Sequence, residues 1–437
     1  MKFIRLLCTF ACTASLASAA DNWPQFRGPT GDGRSTAKGL PVKWSETENV
    51  KWKTPIHDKG WSSPVIWGDQ IWLTTATDDG RELFVLTLDR NSGKVIRDVK
   101  LFDATQPELW KRYNSYASPT PVIEEGRVYV TFGEAGTACL DTKSGKVLWE
   151  RRDLKCNHYR GAGSSPILHG NLLILHFDGA DQQFVVAMDK RTGKDVWRVK
   201  RSTDFRDLEA DGKPKAEGDL RKAFSTPQIA TIEGRPVLLS NGAKAHYGYD
   251  PLTGKEYWQV ENQPFHSSGA RPIYGHGLIF FATGFSKGQF FAIKPPPASA
   301  WKAGNILNAS QDADPVSGRP QLVWRLTKGV PETPSPILHD DLLVLVDNSG
   351  FASAVEARTG KVFWSERVLK AVYASPICAE GRVYACDRDG KGAVFTAGRE
   401  FKLLGESKLE GSIETAPIAA GKALYIRTSK ALYCIEN

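Results

Sequence analysis

Eight times along this chain a proline opens an apolar stretch. The residues just ahead of those prolines are the ones whose types could do chemistry. They are Trp61, Tyr116, Tyr159 with Arg160, Phe224, His266 with Arg271, Thr333, Tyr373 and Glu414. Lys59, Lys111, Arg112, Arg221, Lys222, Lys328 and Lys370 stand close by. Aromatic faces stack on planar or cationic groups, and guanidinium and ammonium groups pair with carboxylates. That is recognition chemistry, suited to an anionic small molecule or a protein partner. The same residues could equally cover sheet edges and carry solvated charge. Motifs with bond-making mechanics are missing from the sequence: no Gly-x-Ser-x-Gly elbow, no His-Glu-x-x-His, no phosphate-cradling glycine loop. The eight histidines are scattered.

These positions can meet only if something brings eight equivalent places together, and the chain carries such a device. Asp189-Lys-Arg-Thr-Gly193-Lys-Asp-Val-Trp197 recurs as Asp141 to Trp149, Asp250 to Trp258 and Ala357 to Trp364. Asp89 to Arg97 is a further copy with Arg97 in the tryptophan's place. Ahead of each copy stands a small or hydroxyl residue followed by proline: Ser63-Pro64, Ser118-Pro119, Ser165-Pro166, Thr226-Pro227, Arg271-Pro272, Ser335-Pro336, Ser375-Pro376 and Ala416-Pro417. Proline cannot donate to a ladder but is tolerated at a strand's first residue, so each marks where a first strand begins. A short hairpin follows each proline, and a second hairpin turns at each Thr-Gly-Lys. Repeats of 40 to 64 residues holding four strands predict the blades of a β-propeller. The last unit supplies only three strands, while Asn49 to Lys53 is an outer-strand sequence with nothing before it. The N-terminal strand is therefore expected to complete the last blade, giving an all-β, eight-bladed ring with four antiparallel strands per blade and no free edge. In that ring the pre-proline residues line the mouth of the central channel. Glu134, Asn241, Asp347 and Asn348, in second-to-third strand loops, are placed to approach it.

The stretch Ala187 to Trp197 resembles the tryptophan-docking repeat of the pyrroloquinoline-quinone-like propeller family. That family holds quinoprotein dehydrogenases and non-enzymatic propellers. The resemblance covers about residues 50–437. It implies that Trp52, Trp149, Trp197, Trp258, Trp324 and Trp364 dock between blades. It implies two roles. One is a non-catalytic propeller binding a protein partner or an anionic small ligand, similar in kind to the propeller component of the outer-membrane protein assembly machinery. The other is a quinone-dependent alcohol or sugar dehydrogenase with a non-standard site. The similar dehydrogenases hold pyrroloquinoline quinone between a tryptophan and a disulfide of adjacent cysteines, with Ca²⁺ on Glu, Asn and Asp. This chain has no adjacent cysteine pair and no Cys-x-x-Cys-His. No catalytic or metal residue is assigned, and the quinone with Ca²⁺ attaches to the second role alone.

Residues 1–20 read as a cleaved secretory signal: Lys2 and Arg5, then an apolar run too short to span a bilayer, then small residues. A periplasmic or secreted protein is expected, monomeric, with no membrane-spanning segment. Residues 21–48 form a Gly- and Pro-rich arm expected to pack Trp23 and Phe26 on the propeller of residues 49–437. Without the signal the net charge of +8 falls to about +6. That is a mild excess which argues against a dedicated nucleic-acid binder. Cys139, Cys156, Cys378, Cys386 and Cys434 remain and read as small buried hydrophobes. The polar connection 200–225 and the insertion 295–321 are the long interruptions; the first is either a functional loop or a mobile one.

Overall fold

The computed structural model describes residues 22–105, 113–285, 288–309 and 316–437. The expected signal segment, with Lys111 and Arg112, lies outside them. The described residues form eight sheets in a ring, each built on four antiparallel strands. Blade three shows the logic, with strands Ile167–His169, Leu172–Asp178, Gln183–Asp189 and Asp195–Lys200. The second strand is buried at every residue because both of its faces meet neighbouring blades. The outer strand alternates and leaves one side to solvent. The last blade holds Ile418–Ala420, Ala423–Arg427 and Ala431–Ile435. Val50–Pro55 pairs antiparallel with the last of these, with Trp52 opposite Cys434. The ring closes as the two chain ends require.

The turn-and-tryptophan repeat has a physical reason. Five outer-strand indoles reach the turn of the next blade. Trp149 Nε1 donates to Lys190 O (3.0 Å), Trp197 Nε1 to Pro251 O (3.1 Å) and Trp324 Nε1 to Ala357 O (2.9 Å). Trp52 and Trp364 do the same to Arg90 O and Gly398 O. Gly254 has φ +73°, and a Cβ there would sit 2.6 Å from the Trp197 ring. The turn thus needs glycine both for its backbone and for the indole's approach. Gly254→Ala is expected to cost more than about 1 kcal/mol, read as a lower urea midpoint. In blade one Arg97 takes the indole's part: its side chain covers Gly145 and donates to Lys143 O.

Two blades depart from the pattern. Trp258 reaches no turn, and its Nε1 has no partner among the described residues. It packs over Gly248 of its own blade and against Trp301, ring centroids 5.5 Å apart. Trp301 belongs to the insertion of blade five, which also adds Ile306–Asn308 as a parallel fifth strand on blade four, covering that outer edge. Blade seven has leucines where a tryptophan would stand, and Trp44 of the N-terminal segment covers Gly392 there instead.

The arm does more than pack on the outside. Trp23 bridges Ile66 of blade one, Ile123 N donates to Pro24 O, and Gln228 Nε2 donates to Thr30 O. Arg34–Ser35 runs parallel to Ile377–Ala379 as an extra inner strand of blade seven, and Ser35 Oγ donates to Ala419 O of blade eight. Arg27, fully buried, donates to Pro336 O (2.6 Å) and Pro376 O. An arm that meets inner strands from blade one round to blade eight crosses the axis and closes the channel.

Candidate functional site: a blind cavity at the channel mouth

Proline removes one backbone donor, so the residue before it carries the last N–H ahead of each inner strand. The next blade satisfies that group. Ser63 N donates to Thr120 Oγ1, Thr120 N to Ser165 Oγ and Ser165 N to Thr226 Oγ1, at 2.9–3.0 Å. Arg271 N donates to Ser335 Oγ and Ser335 N to Ser375 Oγ, again at 2.9–3.0 Å. This girdle is why a hydroxyl residue precedes most of the prolines.

Side chains alternate in extended chain, so the residue two before the girdle position faces the axis as well. Those third-before-proline residues are Trp61, Ser118, Gly163, Phe224, Gly269, Thr333, Tyr373 and Glu414. All eight line one cavity of about 370 Å³, with Phe26 of the arm contributing to it from below. Arg160 and His266 line it from the longer connections.

Three expected residues stand elsewhere. The first strand of blade two follows Pro121, not Pro119, since Val122 opens it and Thr120 holds the girdle place. Tyr116 is thereby carried outward onto Gly80. Tyr159 takes a positive φ (57°) and lies beneath Lys222, whose Nζ is 5.2 Å from its ring. Arg271 is buried at 2 % exposure and belongs to the floor, donating to Pro227 O (3.0 Å) and Phe26 O (2.7 Å). Burial, then the Arg27 charge, pulls its pKa down to about 9.

Other lining residues come from loops. Asn348 lines the cavity as expected, while Asp347 caps its own turn through Ser349 N and Phe351 N. Asn241 is buried against His246. Glu134 is not among the lining residues. Arg388, at the place in blade seven that Asn348 holds in blade six, was the signal left unread. Its guanidinium lies 4.8 Å from the Tyr373 ring and 5.6 Å from that of Trp61, with Nε 3.2 Å from Glu414 Oε1. Tyr113 and Phe285 add two exposed rings.

Charge in the cavity is of both signs. Among described residues two cations, Arg160 and Arg388, face two carboxylates, Glu332 and Glu414. Arg388 and Glu414 pair with each other. Arg160 stacks on Tyr113 (5.1 Å) and lies 3.6 Å from Asp219. Asp219 comes from the 200–225 connection, which folds as a tethered loop: Asp207, 2 % exposed, accepts from Arg221 at 2.6 Å. Burial, then Lys222, Lys244 and Arg160, pulls the His266 pKa down to about 4, so its imidazole is neutral; Lys222 itself pairs with Asp219, and Lys244 Nζ lies 3.9 Å from Asp207. The Glu332 carboxyl is pushed up by burial and by Asp347. All five cysteines are free and buried, and burial raises their thiols, Cys139 and Cys386 to about 12.

A closed eight-bladed ring with hydroxyl-girdled first strands and one blind cavity on its axis defines a propeller of the PQQ-like repeat class. The chain belongs to the family described as outer membrane protein assembly factor BamB, whose model matches residues 97–271 and 181–437. Among solved structures, BamB from Moraxella catarrhalis is 11 % identical with a TM-score of 0.59, over 88 % of this chain and 96 % of that one. The computationally designed Ika8 protein is 13 % identical, TM-score 0.56, over 91 % and 100 %. A europium-containing methanol dehydrogenase is 13 % identical, TM-score 0.51, over 95 % and 91 %. At such identities the likeness shows the fold alone. No curated protein matches the sequence. No helix among the described residues is long and apolar enough to cross a membrane.

Proposed function

We propose that this is a non-catalytic propeller of the bacterial envelope, periplasmic or secreted, that captures an anionic small ligand or an anionic segment of a protein partner at the channel mouth. The observation that carries this reading is the cavity: blind, aromatic-walled, and lined by Arg160 from the connection ahead of blade three. Its volume lies in the range of small-molecule sites. The residues fit a calcium-bound quinone poorly. The cysteines are buried away from the cavity, the Trp61 ring is already engaged by Arg388, and one of the two cavity carboxylates is paired. Among the described residues no three His, Cys, Asp or Glu converge.

Arg271→Glu would place an unpaired carboxylate in the floor, so Arg160 is the residue to change. Arg160→Glu is expected to weaken an anionic ligand by at least about tenfold while the melting temperature holds. Unchanged affinity would remove the ligand from this wall. Titration with pyrroloquinoline quinone and Ca²⁺, followed by dye-linked alcohol or sugar oxidation, is expected to give no turnover; turnover would replace this reading with the dehydrogenase one.

A further inference from the structure

The cavity contains an acid that an anion-binding site does not require. Glu332 lines it, and its carboxylate makes no hydrogen bond or ion pair with any described residue. Its backbone is held on both sides: N donates to Asn348 Oδ1 (2.9 Å), and O accepts from Gly269 N (3.1 Å). A carboxylate carried on fixed backbone into a partly desolvated wall is costly unless something pairs with it. Arg160 precedes blade three and Glu332 precedes blade six, so the two stand three places apart on an eight-place ring, nearly facing across the mouth. Ser63, Thr120, Ser165 and Thr226 also line the cavity. The last three spend an oxygen lone pair on the girdle, and none of the four hydroxyl protons has an acceptor among the described residues. They are donors for a neutral carbonyl. Phe224 and Phe26 supply the apolar surface.

We infer that the cavity takes a small zwitterion with its charges at opposite ends, of the class of an aromatic dipeptide. Its carboxylate meets Arg160, its ammonium meets Glu332, its amide carbonyl accepts from the hydroxyl girdle and its ring packs on Phe224 and Phe26. The inference rests on the small-ligand reading of the site and narrows it. No bond is made or broken.

The test is calorimetric titration of the full chain with tryptophylglycine, its N-acetyl derivative and its C-terminal amide. The free dipeptide is expected to bind, and each blocked form to bind about tenfold weaker or worse, since each loses one charge-assisted contact. Glu332→Gln is nearly isosteric and strands no partner. It is expected to weaken the free dipeptide about tenfold and to abolish the penalty for N-acetylation. Equal binding of free and N-acetylated forms, or an unaltered preference in Glu332→Gln, overturns the inference, as does no binding of any form. If the N-acetyl form alone binds, the anion reading survives without it. If neither that form nor any other anion tested binds wild type, both fail.

Discussion

Removing residues 22–48 is expected to leave a closed ring without a floor, and removing residues 22–55 to leave no ring at all. The first deletion takes away Trp23 and Trp44, which are 1 % and 3 % exposed, together with Arg27 and its bonds to the first strands of blades six and seven. Each buried tryptophan is worth about 3–5 kcal/mol against a cavity. It also strips Arg271 of the Phe26 carbonyl, leaving a buried guanidinium short of one acceptor. The melting temperature should fall by about 10 °C or more, and ligand binding should vanish with Phe26. The second deletion also removes Val50–Pro55, so that Ala431–Ile435 becomes an unpaired edge and the turn at Arg90 loses the Trp52 indole. An exposed, buried-type strand edge recruits other chains. Calorimetry should show no cooperative transition, and size exclusion should show aggregates. Two deletions that both melt like wild type would mean that neither arm nor closing strand belongs to the core.

The contrast between those deletions tracks what could be read from residues alone. Blade number, closure and the role of Trp52 were legible because each follows from a local pattern repeated at a countable interval. Arm placement was not: residues 22–48 carry no copy of the repeat, and nothing in Trp23-Pro-Gln-Phe-Arg says that Arg27 will cross an axis built from residues hundreds of positions away. The cavity was half legible, for a related reason. Alternation in extended chain points the first and third residues before proline inward, which brings Trp61, Phe224 and Tyr373 to the cavity, while Arg160 and His266, six before their prolines, reach it from longer connections. Ser118-Pro119-Thr120-Pro121 offers two prolines in the same phase, and choosing the first slides Tyr116 out of the mouth without flipping its face. Arg271 occupies the girdle position, where the other blades hold serine, threonine or alanine, and there a long side chain reaches down to the arm. Glu332, one residue further from its proline than the inward phase, carried no pattern at all; only its lack of a partner among the described residues brings it forward.

Acidification should undo this protein above the pH at which its carboxylates protonate. Burial holds four imidazoles neutral: His158 and His266 with pKa values pulled down to about 4, His246 to about 3, and His176 well below its ordinary value. In the unfolded chain each titrates near 6.5. Between these limits the unfolded state binds the protons and the folded state refuses them, so stability is full above about pH 6.5 and is lost progressively as pH falls towards 4. Each refused proton costs about 1.4 kcal/mol per pH unit. Three to four of them give a slope of about 4–6 kcal/mol per unit, enough to exhaust an ordinary folding free energy within two to three units. His57 works against the trend, because Asp58 and Asp98 raise its pKa, but it is a single partly exposed group. Carboxylates such as Asp153, held at about 2 by Arg151, stay ionised in the fold throughout this window. Urea denaturation at pH 7.5, 6.5, 5.5 and 4.5 should therefore show a midpoint that holds at the upper end and then drops steeply. Proton resonances of these imidazoles should stay at their neutral positions until unfolding. A midpoint independent of pH from 7.5 to 5 would mean that the four rings are hydrated and that the packing of blades two to five is looser than described.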